Sequence, residues 1–154
     1  RMRIDSAGRV TMPYQPAFRS GGNASYTTVT LNTQEFLSFS DTPAINVGGH
    51  FNNATSRFTA PVSGIYYMGF SFMLSANFLD YTYFWTSFTV NGSKVSNLEF
   101  MLPRPSGGAY ITHQGNAYLN LTAGDYVQVK YYQSQGTAIQ IRDGFRSFQG
   151  HLVG

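Results

Sequence analysis

The strongest apolar pattern in the chain lies between Gly64 and Leu74, which reads Gly-Ile-Tyr-Tyr-Met-Gly-Phe-Ser-Phe-Met-Leu. In an extended strand Tyr66, Met68, Phe70, Phe72 and Leu74 share one face, and Ile65, Tyr67, Gly69, Ser71 and Met73 share the other. Both faces are largely apolar. Such a strand is expected at the centre of the molecule, between a core and either a second sheet or a neighbouring subunit. A short strand from Arg57 and a Pro61-Val62-Ser63-Gly64 turn lead into it.

The rest of the chain repeats the theme of short alternating runs closed by turn residues. Ala17 to Ser20 predicts a first strand, and Gly21-Gly22-Asn23 a loop. Tyr26 to Leu31 predicts a strand or an extended loop, and Glu35 to Ser40 a clearer strand. Asp41-Thr42-Pro43 turns the chain, and Ile45 to Asn53, with Gly48-Gly49 and Asn52-Asn53, reads as irregular and anchored by Phe51. Tyr83 to Val90 alternates and ends in Asn91-Gly92, a strong two-residue hairpin signal, so Lys94 to Leu102 is its partner strand. After a Pro103-to-Gly108 loop, strand pattern resumes over Ala109 to Gln114, Ala117 to Leu121 and Tyr126 to Gln133. Ala138 to Ile141 is a short strand, Arg142-Asp143-Gly144 a tight turn, and Phe145 to Val153 the last strand. About eight to ten short strands without helical periodicity predict an all-β sandwich, jelly roll or barrel.

Residues Arg1 to Met12 hold too little apolar surface to fold alone and read as two short extended pieces joined by Ser6-Ala7-Gly8. Pro13 and Pro16 bracket a stiff linker, which sets the expected boundary between residues 1–13 and a domain over 14–154. The chain starts at Arg1 with neither an initiator Met nor a signal peptide, as expected of a piece of a longer polypeptide or a processed product.

Composition narrows the function. At 154 residues the chain is one domain by length. Aromatic residues are 16% and charged residues 11%, with a net charge of +3 from scattered basic residues. Nucleic-acid binding calls for a basic face with aromatic platforms, and none is present. The absence of cysteine excludes disulfides, thiolate metal sites and Cys nucleophiles. No apolar run reaches the roughly 18 residues of a membrane-spanning helix, so no membrane insertion is expected.

Two resemblances add to this. Arg-Met-Arg-Ile-Asp-Ser-x-Gly-x-Val at the N-terminus resembles a segment that recurs in bacteriophage tail-fibre proteins where the shaft enters the C-terminal head. Asn46, Phe51, Phe58, Gly64, Tyr66 and Phe70 stand at the intervals of the C1q-like globular head signature, a family that shares its jelly-roll fold with tumour necrosis factor. Phe39 falls one residue early, with Ser40 in its place, and Met68 replaces an aromatic residue; Met can fill a core gap. Ala-Gly-Asp-Tyr-Val-Gln-Val (123–129) and Ser-Phe-Gln-Gly-His-Leu (147–152) look like the family's last strands. The resemblance covers about residues 16–154. It implies a homotrimer of roughly ten-stranded antiparallel jelly-roll sandwiches, C1q/TNF-like, displayed on a stalk. Tyr66, Phe70, Phe72, Phe84, Phe88 and Tyr131 are then candidates for either the trimer interface or the sandwich core.

Catalysis finds little support. His50, His113 and His151 lie far apart without a carboxylate or second His at ligand spacing, so each is expected in a loop or on the surface. Neither a Gly-x-Ser-x-Gly elbow nor a phosphate-cradling loop occurs. The two glutamates, Glu35 and Glu99, form no recognisable pair with the aspartates. Some members of the resembled family bind calcium near the trimer apex. Asp80 is the best single candidate ligand here, against an ordinary turn-capping role, and no cofactor or metal is expected. Sequons at Asn23, Asn53, Asn91 and Asn120 would matter only in a secreted eukaryotic protein.

The resulting expectation is a non-enzymatic head at the tip of a phage tail fibre, hence extracellular on the virion. It would adhere as a trimer to a host-surface glycan or outer-membrane protein. Phe78, Tyr81, Tyr83, Arg104 and Tyr110 are the candidate receptor-binding residues, each with an alternative role in packing. The alternative is a secreted C1q-like signalling or innate-recognition module of an animal. A glycan-degrading tailspike is a third class.

Overall fold

The computed structural model describes residues 3–4, 6–8, 10–12, 14–22, 26–29, 32–74, 81–102, 110–135 and 139–154, without the side chains at 3, 10, 11, 81–83, 135, 139 and 143. The alternating sequence runs become strands: β1 Arg3–Ile4, β2 Val10–Thr11, β3 Ala17–Gly21, β4 Tyr26–Val29, β5 Gln34–Phe36, β6 Ile45–Val47 and β7 Phe51–Asn52. They continue as β8 Arg57–Thr59, β9 Gly64–Leu74, β10 Tyr81–Val90, β11 Ser93–Leu102, β12 Ile111–Leu121, β13 Tyr126–Gln135 and β14 Ile139–Leu152. All pairings are antiparallel, and the described residues contain no helix. The strands outnumber the expected ten because several are pieces of only two or three residues.

One sheet runs β11-β10-β13-β8-β7 with β5 also on β13, and the other β12-β9-β14-β3-β6 with β4 also on β14. As the doubly apolar pattern requires, β9 is central, flanked by β12 and β14. Its Tyr66, Met68, Phe70, Phe72 and Leu74 face the other sheet and are buried. The core is aromatic. Phe148 meets Phe18 at 4.8 Å, Phe39 at 5.2 Å and Phe51 at 5.9 Å between ring centroids, and Phe18 stacks on Phe58 at 4.7 Å. Burying a Phe side chain contributes about 1.5–3 kcal/mol, which makes this cluster a major stabilising unit.

The signature residues have physical roles. Asn46 bridges the Gly48-Gly49 turn, its Oδ1 accepting from the Phe51 amide at 3.0 Å and its Nδ2 donating to the Phe51 carbonyl at 2.9 Å. Tyr66 donates its hydroxyl to the Val62 carbonyl at 2.8 Å, closing the turn before β9. A Cβ on Gly64 would stand 2.8 Å from the Gly154 carbonyl oxygen, so the C-terminus packs there only against glycine. Asn91 and Gly92 have φ of 51° and 80°, the left-handed pair of a tight hairpin.

Several expectations need correction. The run from Glu35 to Ser40 is a strand only over Gln34–Phe36; the Leu37 amide still donates to the Val129 carbonyl at 2.8 Å, but the Phe39 amide donates to a side chain, Ser56 Oγ, at 2.7 Å. The irregular Ile45–Asn53 segment contains β6 and β7, one on each side of the Gly48-Gly49 turn. Residues 111–121 form one unbroken strand, because Gly115 lies beneath the Phe100 ring, which a Cβ would approach to 2.6 Å. Arg142-Asp143-Gly144 is not a turn. It belongs to a bulge within β14, which advances from Arg142 to Ser147 while β9 advances only from Met73 to Ser71.

Candidate functional site

Antiparallel order gives the sandwich two distinct ends. The termini meet at one: the Ile65 amide donates to the Gly154 carbonyl at 2.6 Å, the Leu152 amide to Pro16 at 3.0 Å, and Gln15 Nε2 to the Leu152 carbonyl. A cavity of about 450 Å³ at this basal end is lined by Met12, Tyr14, His50, Pro61, Val62 and Val153, among others. At the opposite, distal end β9 stops at Leu74, β10 starts at Tyr81, β11 stops at Leu102 and β12 starts at Ile111.

The distal end carries a cluster built from three separate segments. Arg142, in the β14 bulge, is paired with Tyr26 of β4 and with Met73 of β9. Its guanidinium carbon lies 4.9 Å from the ring centroids of both Tyr110 and Phe145, and 5.5 Å from that of Tyr26. The rings stay half open to solvent, at 50% for Tyr26, 54% for Tyr110 and 53% for Phe145. Arg146 holds the bulge from below: buried, it donates to the Ser38 carbonyl at 2.5 Å and to Thr27 Oγ1 at 2.7 Å. Burial lowers its pKa to about 10, against the raising influence of Tyr131 and Asp41, so it remains charged at neutral pH.

The outer faces of the two sheets differ in chemistry. On the sheet centred on β13, Arg57 lies over Tyr126, Lys94 over Trp85 and Lys130 over Phe36, and Lys94 pairs with Glu99. On that face cationic side chains lie over aromatic rings, above buried residues such as Trp85, Thr89 and Gln128. On the sheet centred on β9, the register sets Tyr118, Tyr67 and His151 in one row and Asn116, Gly69 and Gln149 in the next. Tyr67 meets Tyr118 at 5.7 Å and His151 at 5.4 Å, with Ile65 and Ile45 exposed nearby. Aromatic residues enriched and charges depleted are the marks of a protein interface centre.

Among the expected receptor-binding residues, Tyr110 is the one whose side chain is described, and it belongs to the distal cluster. Tyr81 and Tyr83 lie on the distal half of β10 with side chains outside the described residues, and Phe78 and Arg104 lie outside the described residues altogether, as does Asp80. Arg142, Tyr26 and Phe145 were not expected. The only sequence signal for them is their proximity in strand register, which a misplaced turn at 142–144 hides. The other candidates, Tyr66, Phe70, Phe72, Phe84, Phe88 and Tyr131, are all buried inside the sandwich of a single chain.

His113 also needs correction, since it is neither in a loop nor on the surface. It points into the core from β12, with Nε2 2.8 Å from Thr86 Oγ1 and rings of Phe72 and Phe84 at 5.3 and 5.7 Å. Desolvation lowers its pKa from 6.5 to about 4. Protonation therefore favours the unfolded chain. The stability His113 supports is complete above pH 6.5 and is expected to fall as pH drops toward 4, by about 3 kcal/mol in total. Urea titrations across this range check it: His113→Leu should flatten the slope between those two values. Among the described residues no group of three or more His, Cys, Asp or Glu could hold a metal ion.

With this geometry in view, likeness to known proteins has a physical meaning. The sequence model of the C1q domain matches residues 17–153. The rat (Rattus norvegicus) Complement C1q tumor necrosis factor-related protein 6 is 29% identical over 126 residues, covering 79% of this chain and 45% of the rat protein. The chain thus spans less than half the length of that relative. The globular domain of zebrafish complement 1qA superposes with a TM-score of 0.68 at 22% identity, over 91% of this chain and 98% of that one. Eiger TNF from S. frugiperda gives 0.65 at 14% identity, over 91% and 93%. At such identities the structures speak for the jelly-roll fold alone. From the matched span and the signature residues that close its turns and core, this chain belongs to the C1q domain family, whose members are generally non-enzymatic recognition or signalling modules and typically trimeric.

Proposed function

We propose that the chain is the non-enzymatic receptor-binding head of a phage tail fibre, recognising a host cell-surface glycan or protein as a homotrimer. The observation that carries the reading is the opposition of ends. The termini and the β1–β2 hairpin, formed by the segment that resembles a shaft-to-head junction, precede the basal end, and the exposed Arg142 cluster stands at the other. A head tethered through residues 1–13 would present the cluster outward from the virion. Three copies on one rigid head would raise a weak affinity by multivalency.

The aromatic outer face around Tyr67 and Tyr118 supports trimer assembly, since the apolar inner residues of β9 are already covered within one chain. Tyr118 is 68% exposed in the single chain and its main contact is the Tyr67 ring, so Tyr118→Arg is expected to lower chain stability by no more than about 1 kcal/mol. It should nonetheless convert a trimer to monomers, as read by sedimentation. Labelled heads should adsorb saturably to cells of a susceptible bacterial strain, and the Tyr118→Arg monomer should adsorb far less. Equal adsorption of both, or none by the native head to any strain of a broad panel, would sink the proposal.

The rat relative favours a second reading, a secreted animal module of signalling or innate recognition. The polypeptide upstream of Arg1 separates the two: collagen-like Gly-X-Y repeats favour the animal module, and a long β-rich shaft the fibre.

A further inference from the structure

Arg142 holds its charge among aromatic rings rather than beside an acid. Aromatic rings from three segments surround its guanidinium, yet among the described residues nothing accepts a hydrogen bond from it or pairs with its charge. Rings packed against a guanidinium displace part of its hydration and restrict its motion, while its N–H donors stay available as a preorganised fork. Such a fork matches the paired oxygens of a carboxylate or a phosphate. The half-open rings of Tyr110 and Phe145 offer flat apolar surfaces within one sugar width of it. The backbone beneath is already paired, Arg142 with both Tyr26 and Met73. Recognition here falls to side chains rather than to a free strand edge, which disfavours an extended peptide.

We infer that Arg142, Tyr26, Tyr110 and Phe145 form a subsite for an acidic saccharide, a sugar unit bearing a carboxylate or phosphate. The anion sits on the Arg142 fork and the C–H face of the sugar lies on Tyr110 or Phe145. The inference rests on the reading of the chain as a recognition head and specifies what that head would grip.

The test titrates the full chain with oligogalacturonate, phosphomannan, methyl-esterified oligogalacturonate and a polyglutamate peptide, followed by NMR at the Arg142 Nε–H and by calorimetry. Binding of oligogalacturonate or phosphomannan with a shift at Arg142 supports the subsite, and which of the two binds more tightly names the anion. Arg142→Gln should weaken binding by about tenfold or more, and Arg142→Lys should recover only part of it. Phe145→Ala should also weaken it while leaving the melting temperature near that of the native chain. Equal binding of the methyl ester or of polyglutamate, or binding unchanged in Arg142→Gln, overturns the subsite, as does failure to bind either acidic saccharide. Adsorption to cells, measured on the same samples, separates this from the broader reading. A head that adsorbs but binds no acidic saccharide loses the subsite alone, whereas one that binds through Arg142 but adsorbs to no cells keeps the subsite and loses the tail-fibre role.

Discussion

Replacing Gly150 by alanine is expected to destabilise the chain by about 3 kcal/mol, at the upper end of overpacking costs. Gly150 lies on the inner face of β14, where an added Cβ would stand 2.5 Å from Met68 Sδ, 2.8 Å from the Tyr67 carbonyl oxygen and 2.9 Å from a Phe18 ring carbon. The thioether could swing away, but the Tyr67 oxygen belongs to the neighbouring strand in register, with Gly150 opposite Met68. Phe18 is itself wedged between Phe51, Phe58 and Phe148. The methyl group must therefore separate β14 from β9 or displace the aromatic cluster. For a chain of this size the loss corresponds to a fall in melting temperature of roughly 6–12 °C, and Gly150→Val should prevent folding. A Gly150→Ala chain that melts within about 2 °C of the native one would show that the core is looser than this packing implies.

The second large effect is expected at Arg146. Arg146→Ala should cost about 3–5 kcal/mol, because it leaves the Ser38 carbonyl and Thr27 hydroxyl short of a donor and opens a void where its stem packs against Gly22. A Cβ on Gly22 would lie 2.6 Å from Arg146 Cδ, so the two positions are fitted to each other. Arg146→Met keeps most of the stem and should lose less than Ala, with the difference measuring packing against hydrogen bonding. Arg146→Lys keeps the charge without the fork and should fall between native and Met. These variants also probe the distal cluster, since Arg146 anchors the bulge that carries Arg142 and Phe145. Chemical denaturation gives the costs. If Arg146→Ala proves nearly neutral, the bulge is held by its backbone pairing alone.

What could be read from the sequence depended on how local its cause was. The β9 pattern, the Asn91-Gly92 hairpin and the strand over Tyr126 to Gln133 are set by neighbouring residues, and the structure has all three, although Gln128 on the outward side of that last strand is buried. Errors fell where a distant residue decides the outcome. Arg142-Asp143-Gly144 has the composition of a turn, yet Arg146 reaching to Ser38 and Thr27 makes it a bulge in a continuous strand. Gly115 looks like a break until the Phe100 ring is placed over it. His113 resembles any isolated polar residue until Thr86 supplies a buried partner across the sandwich. The distal cluster suffers similarly: Tyr110 stands out as an aromatic residue beside a loop, but Arg142 and its rings come together only through the pairing of β14 with β4 on one side and, by way of β9, with β12 on the other.

The aromatic outer face of the β9 sheet and the fibre-head reading both depend on one property, self-association of the chain. Its mass in solution, measured by light scattering over a range of concentrations, tests that most directly. A concentration-independent mass three times that of the 17.1 kDa chain is expected. A stable monomer would leave the Tyr67 and Tyr118 face without its partner and contradict the trimeric recognition head.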